Sequence, residues 1–256
     1  MTAPTVSAIY VVKNEEEYLP FSVRSVCDAV GEVIIVDNES TDRTVERVRS
    51  IPGVRLFSSG ARDLSDLWNS ALSRATGKWV LVVGADEVYY PAIADQLPHL
   101  IADPAADGYW CWFYHLMRSY YYMQNRTEFD PIYRRITILR KTPTLHYERA
   151  VHERIAGLGP NIIDTRLQFV HYGYAKPCED ILRRWKLYAR LEGVPDMYDR
   201  TDPVHMLDDR PIWPFRREHP AVIREYVEAT AAARALKGEK LFRKLPPDPE
   251  DEPDPK

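Results

Sequence analysis

The sequence predicts an α/β fold, a doubly wound and mostly parallel sheet flanked by helices, followed by a less regular C-terminal half. Two observations carry this. Short apolar runs at residues 6–12 (VSAIYVV), 32–36 (EVIIV), 54–57 and 79–83 (WVLVV) recur through the first 85 residues. Segments with helical apolar spacing separate them. Strands alternating with helices form βαβ units, whose crossovers are right-handed and whose parallel sheet is covered on both faces.

In order, 6–12 reads as a buried strand because it is a short apolar run rich in β-branched residues. Residues 15–30 read as a helix, with Leu19, Val23, Val26 and Val30 on one side and Gly31 as its stop. Residues 32–36 form the second strand, 44–49 a helix and 54–57 the third strand. Residues 63–75 form a helix with Leu64, Leu67, Trp68, Ala71 and Leu72 on one side. Residues 79–83 form the fourth strand and 90–101 a further helix. The aromatic run 108–123 (GYWCWFYHLMRSYYYM) reads at 109–114 as a strand buried on both faces, with Tyr120, Tyr121 and Tyr122 more exposed. Residues 135–140 read as a strand. Residues 180–192 read as an amphipathic helix closed by Gly193, and 220–240 as a terminal helix. The expected organisation is one domain over 1–244, with a ligand-binding half at 1–105 and an acceptor-side half at 106–244. A disordered acidic, Pro-rich tail is expected at 245–256.

The 256 residues are 45% hydrophobic, enough for a sizeable core. The formal net charge of −4 is matched by the tail alone, where Asp248, Glu250, Asp251, Glu252 and Asp254 face one Lys256. The body is near neutral and lacks the basic footprint that duplex nucleic acid requires. Cys27, Cys111 and Cys178 have no metal-ligand spacing, which argues against zinc and for a reducing compartment. The first residues have no basic-then-apolar leader, and no run of about 18 apolar residues exists. The expected location is therefore cytoplasmic. The basic run Arg183, Arg184, Lys186 and Arg190 reads as a solvated helix face, and leaves contact with the inner face of a membrane open.

In an open parallel sheet, ligands bind beyond the carboxyl ends of the strands. Three polar segments sit there: Lys13-Asn14-Glu15, residues 37–42 and Gly84-Ala85-Asp86-Glu87. The first has no glycine, which excludes a dinucleotide fingerprint and a Walker loop. Asp86 and Glu87 at the end of an apolar strand suit Mg²⁺ or Mn²⁺, which take oxygen ligands and bridge phosphates. The plainer reading has Asp86 capping the next helix.

Three segments together carry a resemblance. IYVVKNEEEYLPFSVRSV, IIVDNESTDRT and ATGKWVLVVGADEVYYP resemble, in the right order, the opening strand and helix, the nucleotide segment and the metal-motif segment of family 2 glycosyltransferases. The likeness covers roughly residues 6–100. YERAVHERI and VHYGYAKP look similar to downstream segments of bacterial members. The resemblance implies a GT-A fold and a glycosyltransferase that uses a nucleotide-diphosphate sugar (UDP-, GDP- or dTDP-linked) with Mn²⁺ or Mg²⁺. By position, Asp37 would hold the nucleoside, Val12, Asn14 and Glu15 would line the base pocket, and Arg62 and Asn69 would contact nucleotide or support it. Ala85 and Asp86 would border the donor, with Asp86 on the metal. Asp42 reads instead as a helix cap. The family's motif is commonly Asp-x-Asp, but here its first position is Gly84. That points to altered donor handling rather than lost catalysis.

Family members typically invert the sugar's configuration, which requires a base for the acceptor hydroxyl. Glu153 is the candidate, against a plain surface pair with Arg149 or Arg154, and Asp130 is the reserve. His171 is the candidate second metal ligand, with His152 behind it; a satisfied core or loop histidine is the commoner role. The acceptor, a glycan, a lipid-linked saccharide or a protein, is left open. Two other functions fit the same features: a non-catalytic nucleotide-sugar binding module, favoured by Gly84, and a sugar nucleotidyltransferase, opposed by the missing glycine-rich phosphate loop.

Overall fold

A computed structural model of the chain describes residues 5–61, 63–124, 133–150, 152–201 and 212–236. Arg62, Asp130 and the tail at 245–256 lie outside the described residues.

The first half alternates as the sequence predicts. β1 (Val6–Val12), α1 (Leu19–Val26), β2 (Glu32–Asp37), α2 (Thr44–Val48), β3 (Val54–Ser58), α3 (Leu64–Arg74) and β4 (Trp79–Val82) follow in order. β4, β1, β2 and β3 lie side by side and parallel. β1 is buried on both faces, which explains its mostly apolar composition. Ala8, Tyr10 and Val12 pack with Leu19, Val23 and Val26 of α1, while Ile9 packs with Leu67 and Ala71 of α3. Each fully buried aliphatic side chain contributes ~1.5–3 kcal/mol.

Next come β5 (Glu87–Tyr89), α4 (Ala92–Ile101), β6 (Gly108–Met117), β7 (Tyr122–Gln124), β8 (Tyr133–Arg140), β9 (His146–Glu148), β10 (Arg154–Ala156) and β11 (Ile162–Tyr174). α5 (Cys178–Leu191), β12 (Ile212–Pro214) and α6 (Ala221–Leu236) close the described chain. The sheet order is β12-β7-β6-β8-β4-β1-β2-β3, with β11 pairing both β5 and β6. β8 joins β4 antiparallel, so the parallel arrangement holds for the core strands and the outer half is mixed. β9 and β10 form a separate hairpin.

Some expectations are corrected. The first helix begins only at Leu19, because residues 13–17 are tied to the next loop: the Asn14 side chain accepts the Thr41 N–H, and the Glu15 N–H reaches Thr44 Oγ1. β6 is not buried on both faces throughout. Tyr109, Cys111 and Tyr114 are buried, but Trp110 and Trp112 are half-exposed beneath the Arg134 guanidinium. Tyr120 is buried, not exposed, and its hydroxyl lies 3.0 Å from that of Tyr18; Tyr121 is the exposed one. Among the described residues no helix is long and apolar enough to cross a membrane.

Candidate active site

Strand register brings the site together. Val12 pairs with Asp37 and Ile9 with Val82, so β1, β2 and β4 end at one edge of the sheet. The Asn38 N–H donates to Val12 O at 2.8 Å, which holds the first two loops side by side. Asp37 is buried. Its Oδ2 accepts the Ser40 N–H at 3.1 Å, while Oδ1 has no hydrogen-bond partner among the described residues. A buried carboxylate oxygen left bare is costly, and a ligand N–H or O–H would satisfy it. Asp42 accepts the Thr44 N–H at 2.9 Å and the Glu16 N–H at 3.2 Å, but it is not the N-cap expected of it: α2 starts after Arg43 and has no side-chain cap.

Asp86 follows β4 and is buried, but it does not cap α4, which has no side-chain cap. β11 pairs with β5 and β6 so that His171 stands opposite both Glu87 and His115. His171 Nε2 lies 3.4 Å from Asp86 Oδ1, and His171 Nδ1 lies 2.8 Å from His115 Nδ1. The other carboxylate oxygen, Asp86 Oδ2, faces Arg184 Nη1 at 3.5 Å and Lys176 Nζ at 3.6 Å. Lys176 also grips Glu15 Oε2 at 2.6 Å, and Arg184 donates to Gly173 O at 3.0 Å. Burial would raise the Asp86 pKa, but His171, Lys176 and Arg184 more than reverse it and hold the carboxylate well below its usual range. Burial likewise lowers the Lys176 pKa, and Asp86 and Glu15 overcome it, so the ammonium stays charged.

The residues fit a divalent ion in part. Two cis ligands about 2.1 Å from an octahedral ion stand ~3 Å apart, close to the Asp86–His171 separation. When His171 donates its Nδ1 hydrogen to His115, its Nε2 lone pair is free to ligate. No cluster of three or more His, Cys, Asp or Glu forms among the described residues, so donor phosphate oxygens would have to complete the shell.

Glu153 is held differently from the pairing with Arg149 or Arg154. The Asn69 amide donates to Tyr147 O at 2.9 Å and accepts the Tyr147 N–H at 2.8 Å, and so fastens the β9–β10 hairpin to α3. The hairpin carries Glu153, whose Oε1 accepts the Trp68 indole N–H at 3.1 Å. Burial raises the Tyr188 pKa, Arg184 lowers it, and Glu153 and Asp86 raise it further, so all three charged groups act on one tyrosine. A shallow hollow of about 530 Å³ lined by Tyr90, Arg216, Arg217 and Glu218 holds none of these groups. The carboxylate crevice is the better candidate because its chemistry converges there.

The description "Glycosyl transferase family 2" fits residues 7–153 of the chain, more than half of it. The chain belongs to glycosyl transferase family 2. The chain spans well under two thirds of the length of the relatives it matches. It is 29% identical over 152 residues to a TPR repeat-containing protein of Synechococcus elongatus, covering 59% of this chain and 35% of that one. It is 29% identical over 143 residues to an uncharacterized glycosyltransferase of Rickettsia typhi, covering 53% and 46%. Among solved structures, S. aureus TarS (residues 1–349, with UDP) gives a TM-score of 0.45 at 16% identity, over 79% of this chain and 70% of that one.

Within this family 2 chain, the structure brings together Val12, Asn14, Asp37, Ala85, Asp86 and His171 at one sheet edge, with Glu15 joined to Asp86 through Lys176. Asn69 does not face the crevice; both ends of its amide are spent on Tyr147 backbone. His152 is an exposed loop residue paired with Glu192 at 3.0 Å, not with Asp86. Arg184 is not on a solvated face: it turns inward, whereas Arg183 is exposed and pairs with Asp180. Lys176 and His115 were not singled out by sequence reasoning, and Arg184 entered it only as part of a solvated basic run. For Arg184 a signal was present, since it falls three residues after Ile181 and four before Tyr188, on the apolar stripe of α5.

Proposed function

We propose that this chain transfers a sugar from a nucleotide-diphosphate donor to a hydroxyl acceptor, with inversion and with a divalent metal ion. The observation that carries the reading is the meeting of Asp86 Oδ1 and His171 Nε2 at 3.4 Å beyond the ends of parallel strands whose neighbouring loop holds the bare Asp37 oxygen. Asp37, with backbone of residues 12–14, holds the nucleoside. Asp86 and His171 would hold the ion, which would offset charge on the diphosphate. Glu153 takes the acceptor proton as the acceptor oxygen bonds to the sugar's anomeric carbon. The bond from that carbon to the diphosphate breaks, and its electron pair leaves with the nucleoside diphosphate. Trp68 orients Glu153 through its indole N–H.

The test is release of nucleoside diphosphate from UDP-, GDP- and dTDP-sugars with Mn²⁺, with and without EDTA. Metal-dependent release with any donor supports transfer or its hydrolytic side reaction. Gly84 favours a second reading, a binding module without turnover; tight donor binding with no release for any donor and acceptor class would establish that instead.

A further inference from the structure

We infer that Lys176 and Arg184 form a diphosphate clamp, binding the donor's phosphates directly and holding the charge that develops as the sugar leaves. The inference rests on the proposed donor chemistry and adds to it a part of the site supplied by the protein's own cations.

The geometry carries it. Both cations converge on one oxygen, Asp86 Oδ2, at 3.5 and 3.6 Å, longer than a good charge-assisted hydrogen bond of about 2.7–2.9 Å. Asp86 therefore attracts them without saturating them. Each is anchored from behind. Lys176 is held at 2.6 Å by Glu15 and lies over the Tyr18 ring, while Arg184 is held by Gly173 O and lies over the Tyr174 ring. Side-chain exposure of 12% and 25% keeps them in the crevice rather than in bulk water. Such preorganised cations cost little reorganisation at the moment of reaction.

Charge arithmetic favours the same role. Glu15 and Asp86 balance Lys176 and Arg184, leaving the four side chains neutral. A divalent cation and a nucleotide-sugar diphosphate also cancel. When the bond from the anomeric carbon to the diphosphate oxygen breaks, the electron pair stays on the diphosphate and adds one negative charge. Besides a bound ion, the ammonium and the guanidinium beside Asp86 are placed to meet that charge. A cation on Asp86 would also loosen both from Oδ2 by like-charge repulsion, freeing their N–H groups for the phosphates. Arg184's planar fork suits two phosphate oxygens at once.

The experiment is calorimetric titration of the wild-type chain with UDP, GDP and dTDP in Mn²⁺, then of the tightest of these in EDTA. Inorganic pyrophosphate serves as competitor. The expected result is residual binding in EDTA that pyrophosphate displaces. Arg184→Gln and Lys176→Gln should each weaken that metal-free binding at least tenfold, with Arg184→Lys recovering part of it. Should Lys176→Gln fail to fold because Glu15 is left buried alone, the double variant Glu15→Gln/Lys176→Met removes the whole pair and serves in its place. Wild-type binding that vanishes in EDTA, or folded variants that bind as wild type there, overturns the clamp while leaving metal-dependent transfer intact. No binding of any nucleoside diphosphate even with Mn²⁺ overturns both.

Discussion

The Glu87 carboxylate occupies the space that an aspartate at position 84 would need: it accepts the Gly84 N–H at 2.8 Å, and a Cβ on Gly84 would stand 2.9 Å from Glu87 Cδ. Glu87 cannot simply retreat. It is buried, and Arg135 Nη2 holds the same oxygen, Oε2, at 2.5 Å. The family's usual first aspartate is thus replaced by a packing arrangement in which buried Glu87, paired with a half-exposed Arg135, braces the loop. Gly84→Asp should therefore destabilise the chain by about 2–4 kcal/mol through overpacking and a second buried carboxylate. Adding Glu87→Ala to Gly84→Asp should recover part of the space, though it leaves Arg135 without its partner. Denaturant melts of the two variants check this; a Gly84→Asp chain as stable as wild type would show that Glu87 has room to move.

The parts of this architecture that could be read from sequence are those where one residue's surroundings repeat along the chain. β1, β2 and β4 are buried on both faces, so their runs are mostly apolar and unmistakable. Asp37 and Asp86 stand out because acids follow directly on such runs. β11 was not legible. Its thirteen residues mix exposed Arg166 with buried Leu167 and Phe169, and its pairing with β6 shifts register twice. The Asp86–His171–His115 alignment depends on that register, and no local pattern encodes it. Arg184 and Arg183 are adjacent and chemically identical; only the rotation of α5 against β11 sends one inward.

Asp37 combines burial with an oxygen that has no hydrogen-bond partner among the described residues, a stability cost that a bound ligand would relieve. Asp37→Asn removes a buried charge yet retains an acceptor for the Ser40 N–H. The variant should be at least as stable as wild type by thermal melt. Its affinity for the best nucleoside diphosphate should fall about tenfold or more, the worth of a charge-assisted hydrogen bond. Unchanged affinity would remove Asp37 from the nucleoside site.

Asp86 anchors Lys176 and Arg184, and in the proposed mechanism it would also hold the metal ion. Asp86→Asn should cut turnover at least a hundredfold, the range seen when a key charge-stabilising group is removed. It should also lower stability, because Lys176 and Arg184 lose a shared counter-charge while only Lys176 keeps Glu15. Turnover assays checked against melts of the same sample distinguish the two. A near-normal rate contradicts the metal assignment.

Gly173 permits the Asp86–His171 approach. A Cβ there would lie 2.5 Å from His171 Nε2 and 2.8 Å from Asp86 Oδ2. The imidazole is wedged by Phe113, His115 and Tyr174, so it has little room to yield. Gly173→Ala should therefore weaken Mn²⁺ affinity at least tenfold, read by titration with the metal in the presence of nucleoside diphosphate. A wild-type affinity would mean that His171 is not a ligand.

His219 sets the acid limit of the α6 side. It packs against Phe215 and Tyr172, and the Tyr172 hydroxyl lies 2.8 Å from its Nδ1. Burial drives its pKa down to about 4, against a backbone hydrogen bond near Tyr120 that raises it and with Arg224 adding to the lowering. The unfolded chain binds this proton near pH 6.5, before the folded chain does. The ring's contribution is complete above that pH and is lost as pH falls from about 6.5 toward 4. The melting temperature of the wild type should decline over that window. His219→Gln, which keeps an acceptor for Tyr172 but cannot titrate, should decline less steeply. Parallel profiles for the two chains would show that His219 is already charged in the folded state.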